Sequence, residues 1–126
     1  MSTRDLKPKG IPYSIDEYDR HLLLNLNVID DVQEHFDMPL VDITTMLKND
    51  KERYRAVRYL LYAFLADDAE ENGYPVISEK SIGRKLTLEN LPEAVKAISE
   101  AIVEGSPKRA TDVENFEAEN GEVEKN

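Results

Sequence analysis

The sequence predicts a small, mainly helical domain, and three observations carry that expectation. From Leu40 onward the apolar residues recur at three- and four-residue spacing, the period of an amphipathic helix. Helix-starting residues stand ahead of those runs at Asn49, Ser78 and Asn90. Stop signals close them: Asn72-Gly73 followed by Pro75, and Gly105-Ser106-Pro107. At 126 residues the chain is long enough for one domain and not for two.

Residues 11–36 read two ways. Leu22, Leu24, Leu26 and Val28 alternate with His21, Leu23, Asn25 and Asn27, which is a strand period. Ile11 to Asp16 would pair with them as an edge strand that tolerates Pro12, turning near Asp16-Glu17-Tyr18-Asp19. Asn27 would then cap a helix from Val28 to about Phe36. Yet Ile15, Tyr18, Leu22, Leu26, Ile29 and Phe36 also suit a 3.6-residue period, with Ser14 and Glu17 as a capping box. Periodicity alone leaves hairpin and helix open.

The remaining elements are less ambiguous. Leu40, Ile43 and Leu47 are spaced for a short helix with Pro39 at its start. Asn49, with Glu52 as its reciprocal acid, is placed to cap a long helix running to about Glu71. Tyr54, Val57, Leu61, Phe64 and Leu65 form that helix's apolar stripe, and Arg55, Tyr59, Tyr62 and Ala66 form a second stripe beside it. Ser78 caps a short helix carrying Ile82 and Leu86. Asn90-Leu91-Pro92-Glu93 opens the last helix, with Leu91, Val95, Ile98 and Ile102 inward and Glu93, Lys96 and Glu100 outward. The domain organisation expected is a polar N-terminal arm (1–10), a compact helical domain (11–105) and a disordered acidic tail (106–126), because the tail's few large apolar groups do not offset its ordering entropy.

Composition narrows function by exclusion. The formal net charge of −10 opposes binding to nucleic acid phosphates and to anionic membranes. Without cysteine there is no disulfide framework, Cys-zinc site or thiol nucleophile. No apolar run approaches the roughly 20 residues of a membrane span, and the N-terminus lacks an apolar signal core. The expected setting is therefore intracellular.

Catalytic signatures are missing. His21 and His35 are far apart in sequence, and neither a metal-binding HExxH nor a glycine-rich phosphate loop is present. Asp30-Asp31 and Asp67-Asp68-x-Glu70-Glu71 offer carboxylates, but adjacent helical residues do not face one another, so solvated helix faces explain them. The expectation is a non-enzyme with no cofactor and no metal. The second stripe of the long helix is more informative. Tyr and Arg are enriched in interface hot spots, and the chain has six Tyr and no Trp. Arg55, Arg58, Tyr59 and Tyr62 are the candidate partner-binding residues, edging a groove for a partner helix. The bland alternative is a helix buried on two faces.

A resemblance joins these parts. Lys9-Gly10-Ile11-Pro12-Tyr13-Ser14-Ile15-Asp16, then Leu22 to Gln33, Arg58-Tyr59-Leu60-Leu61, Ser81-Ile82-Gly83-Arg84 and the closing helix to Ala101-Ile102 together resemble the small tail assembly chaperones of long-tailed bacteriophages and prophages of Gram-positive bacteria. The resemblance spans about residues 9–107. It implies a mostly α (α+β) fold, with a short N-terminal β-hairpin followed by about four to five helices in a small bundle. It also implies a non-enzymatic role: covering the long helical tape measure protein until tail tube subunits polymerise around it, in the host bacterial cytoplasm and outside the mature virion. The tape measure protein, and the tail tube protein beside it, are the partners implied; self-association stays open. In such families a longer product often arises by a −1 ribosomal slip, and Glu124-Lys125-Asn126 is compatible with an A-rich slippery codon run. A rival reading is an acidic protein-interaction or DNA-mimic inhibitor domain, which needs carboxylates ordered over one face of the fold.

Overall fold

The computed structural model describes residues 9–107. Two short antiparallel strands, β1 (Ile11–Pro12) and β2 (His21–Leu22), lead into five helices: α1 (Leu26–Phe36), α2 (Leu40–Met46), α3 (Arg53–Asn72), α4 (Glu79–Lys85) and α5 (Leu91–Gly105). The fold is therefore mostly α, a small bundle with an N-terminal hairpin. The expectations for residues 1–8 and from Lys108 onward lie outside the described residues.

The hairpin is much shorter than the alternating leucines imply. Ile11 pairs with Leu22 and Pro12 with His21, and Pro12 has no N–H with which to extend a ladder. Beyond it Tyr13 N–H still reaches Arg20 C=O at 3.0 Å, after which the chain loops out. Gly10 closes the other end at φ 91°, where a Cβ would sit 2.5 Å from the Leu22 carbonyl oxygen. Only glycine fits this contact. The helical alternative for residues 14–26 is not formed.

α1 starts two residues earlier than predicted, at Leu26 and not Val28. Asn25, not Asn27, is the N-cap: its Oδ1 accepts the Val28 N–H at 3.0 Å, while its Nδ2 donates to Asp67 Oδ2 of α3 at 2.8 Å. Asn27 has no such partner and is exposed. The shift ends the strand alternation at Leu24, so Leu26 is 81% exposed while Leu22, Leu24, Val28 and Val32 enter the core. The Gln33 side chain accepts the Leu40 N–H at 2.9 Å and so ties the two helices at the α1–α2 turn.

Asn49 caps a turn and not α3 itself. Its Oδ1 accepts from the N–H groups of Lys51 and Glu52, both at 2.9 Å, and α3 begins at Arg53. α3 has 20 residues and is about 30 Å long. α1, α2, α4, α5 and β2 all pack on it. Its buried surface accordingly exceeds one stripe: Ala56, Leu60, Ala63 and Ala69 are buried beside Val57, Leu61, Phe64 and Leu65. Tyr54, expected in the stripe, is 49% exposed. Gly73 ends α3 in the left-handed region at φ 74°, as its sequence position demanded.

Ser78 caps α4 by accepting the Ser81 N–H at 3.1 Å. Asn90 makes no side-chain cap on α5. It instead closes the α4–α5 connection, its Oδ1 accepting from Thr87 N–H at 2.8 Å and its Nδ2 donating to Lys85 C=O at 3.0 Å. α5 sets Ala94, Ala97, Ile98 and Ala101 against the core, and Leu91, Val95 and Ile102 are half-buried around them. Small residues let this helix approach closely; at Gly105 a Cβ would stand 2.6 Å from Leu24 Cβ.

One charged side chain belongs to this core. Arg20 is 1% exposed. Its Nε and Nη2 pair with the Asp16 carboxylate at 2.9 and 2.8 Å, and Nη2 also donates to the Pro75 carbonyl at 2.9 Å. The rings of Tyr18 and Tyr74 lie 5.2 and 5.4 Å from its guanidinium carbon, within cation–π range. Arg20 thus fastens the hairpin loop to the α3–α4 connection. Among the described residues no helix is long and apolar enough to cross a membrane.

Candidate interaction face

The helical step of about 100° decides how α3 spends its outward surface. Arg58 and Tyr59 are adjacent and so point to different neighbours. Arg58 turns to α4, where its Nε donates to Glu79 Oε2 at 3.1 Å. Tyr59 turns to α1, where its hydroxyl donates to Asp31 Oδ1 at 2.6 Å. Its ring stacks on His35 with centroids 3.6 Å apart and planes 4° from parallel, and Phe36 meets it edge-on at 5.6 Å. Burial, and then the Asp31 bond, push the Tyr59 phenol well above its usual range, so it stays a neutral donor.

Between these two directions lie Arg55 and Tyr62. Arg55 is exposed, and Tyr62 is half-buried with its ring 5.6 Å from that of Tyr59. α1 and α4 both pack on α3 and not on each other. The strip of Arg55, Tyr62 and Ala66, the α3 trough, therefore lies between two flanks: one carries Tyr59 with Asp31 and His35, the other Arg58 with Glu79.

The structure therefore brings all four predicted residues to one face and gives them unequal roles. Arg55 and Tyr62 are available for contact. Tyr59 is largely committed to α1, and Arg58 is engaged with α4. Asp31 and His35 were missed as members of this face. His35 had been a lone histidine in sequence, and only the α1–α3 packing places it on Tyr59. Of the second stripe, Tyr59, Tyr62 and Ala66 are half-buried and Arg55 is exposed.

Two clefts flank the bundle elsewhere. One, of about 490 Å³, is lined by Lys9, His21, Asn25, Asp67, Asp68 and Glu71, among others. Desolvation raises the Asp68 carboxyl above its ordinary value, against the His21 backbone N–H and the attraction of Arg20. Asp67 is engaged by Asn25, so the acid run reads as structural at that position. Among the described residues no three His, Asp or Glu side chains converge as a metal site would require. The other cleft, of about 330 Å³, lies between α3 and the α4–α5 connection.

Compared with protein-family models, with curated proteins and with solved structures, the chain finds no match.

Proposed function

We propose that this chain is a non-enzymatic tail assembly chaperone, which holds a long helical partner, the tape measure protein, along the α3 trough. The observation that carries the reading is the α3 surface left open between α1 and α4, which holds Arg55 and Tyr62. A helix with exposed apolar stripes aggregates unless those stripes are covered. An aromatic strip between charged flanks suits such a helix, the aromatic ring supplying area and the flanks fixing register. The resemblance of the chain's sequence blocks to those of tail assembly chaperones is what selects the partner in this reading. The place of action that follows is the host bacterial cytoplasm during tail assembly.

Co-expression with the tape measure protein tests this. The wild-type chain keeps the partner in the soluble fraction and co-purifies with it. Arg55→Glu, at an exposed position, loses both effects while its melting temperature stays close to wild type. Retention of the partner by that variant overturns the assignment of the face, and a wild-type chain that neither solubilises nor co-purifies with the tape measure protein overturns the function.

A further inference from the structure

The second cleft has an apolar floor with Arg58 at its edge. Tyr54, Leu86, Leu88 and Leu91 line it with Arg58 and Gly83, and Leu88 is 77% exposed. This is unusual exposure for a leucine in a connection that contributes Leu86 and Leu91 to the core edge. The two segments that border it are less acidic than the whole chain. Residues 50–58 hold Lys51, Arg53, Arg55 and Arg58 against Asp50, which pairs with Arg53, and Glu52; residues 79–89 hold Lys80, Arg84 and Lys85 against Glu79 and Glu89. They are net +2 and +1 in a chain of net −10. Arg58 is paired with Glu79, whereas Arg84, next to Gly83, is exposed and has no ion pair among the described residues.

We propose that this cleft is the docking site for the chain's own acidic C-terminal segment, with Phe116 seated over Leu88 and Leu91. Three observations favour this occupant. The segment Asp112-Val113-Glu114-Asn115-Phe116-Glu117 carries two apolar groups three residues apart among acids, which complements an apolar floor with the exposed Arg84, unpaired among the described residues, adjoining its Gly83. The reach is sufficient. α5 starts at Leu91, on the cleft, and ends at Gly105, about 21 Å away along its axis. From Pro107 the chain to Phe116 spans up to about 30 Å when extended. Finally, tethering acts as a local concentration in the millimolar range, so a contact too weak to form between separate molecules is populated within one. The docked segment covers the exposed Leu88 and adjoins Arg58, at the edge of the α3 trough.

The test uses the full chain. The protein has no cysteine, so Asn115→Cys accepts one nitroxide label beside Phe116. Docking predicts loss of the Leu88 and Leu91 methyl NMR signals, while Val28 and Val32 of α1 keep theirs. Phe116→Ser or Arg84→Glu in the labelled chain restores the Leu88 and Leu91 signals. Leu88→Ser, at an exposed position that leaves the core intact, restores the Leu91 signal. Uniform weak broadening, broadening centred elsewhere, or loss that appears equally when labelled chains are mixed with unlabelled isotopic ones overturns the proposal. No partner protein enters the experiment, so its failure is separate from failure of the chaperone assignment.

Discussion

Removing Asp16 will cost more than removing Arg20, although arginine is the larger side chain. Asp16→Asn keeps the shape of the carboxylate and deletes its charge. Arg20 then remains at 1% exposure, held by the Pro75 carbonyl and two tyrosine rings but with no anion bonded to it. Breaking a buried pair in this way costs about 3–5 kcal/mol, and the rings and carbonyl offset enough of it to place the expected loss near 3 kcal/mol. Arg20→Met removes the buried cation and fills most of its volume. The stranded Asp16 side chain is 16% exposed and rehydrates, leaving mainly the unpaired Pro75 carbonyl, about 1–2 kcal/mol. At about 4–8 °C per kcal/mol for a domain of this size, Asp16→Asn lowers the melting temperature by roughly 12–24 °C and Arg20→Met by roughly half as much. Urea unfolding at pH 7 with equal m-values measures both losses. The double variant loses less than the sum, since its members share one interaction. A larger loss for Arg20→Met than for Asp16→Asn, or losses below about 0.5 kcal/mol for both, typical of exposed sites, would refute the claim that a compensated buried cation fastens the hairpin to the α3–α4 connection.

Further outcomes follow from the same geometry. Arg20 holds the Asp16 carboxyl below its ordinary value, so the stabilisation from this pair is present above the unfolded value of about 4 and is lost as pH falls through the lower folded value; Asp16→Asn flattens that acid limb in thermal scans from pH 7 to pH 2. Asp68 has the opposite sign, because desolvation raises its folded value. Its contribution is greatest below the unfolded value and is lost as pH rises through the folded one, so Asp68→Asn removes a loss of stability on the way to neutral pH, and an unchanged slope there contradicts it. Tyr59→Phe deletes the 2.6 Å bond to Asp31 and lowers stability by about 1 kcal/mol, whereas Tyr62→Phe, with no hydrogen bond recorded for its hydroxyl among the described residues, changes unfolding by less than about 0.5 kcal/mol. Gly10→Ala meets the Leu22 carbonyl at 2.5 Å, while Gly73→Ala meets nothing within 4 Å; the first therefore loses clearly more than the roughly 1 kcal/mol of left-handed strain alone that the second pays, as calorimetry of the two variants will show.

The sequence by itself determined whatever rests on chemistry within a few residues. The Gly73 stop and the Ser78 cap are of this kind, since each satisfies the backbone of its own turn. The helical count and the outward Glu93, Lys96 and Glu100 of α5 were legible for the same reason. So was the common face of Arg55, Arg58, Tyr59 and Tyr62, because residues three and four apart share a helix surface whatever surrounds it. Tertiary structure decided the rest by supplying partners from distant segments. Asn25 became the α1 cap in place of Asn27 because it also reaches Asp67, and that shift turned Leu26 outward. Asn90 was drawn from its cap to close a turn with Lys85 and Thr87. Arg20 is buried because the Pro75 carbonyl and the Tyr74 ring, 55 and 54 positions away in sequence, close over it. Tyr59 and Tyr62 are equivalent in the helical pattern, yet α1 engages one and leaves the other in the trough. Periodicity states which side chains share a face; only packing states which part of that face is already occupied.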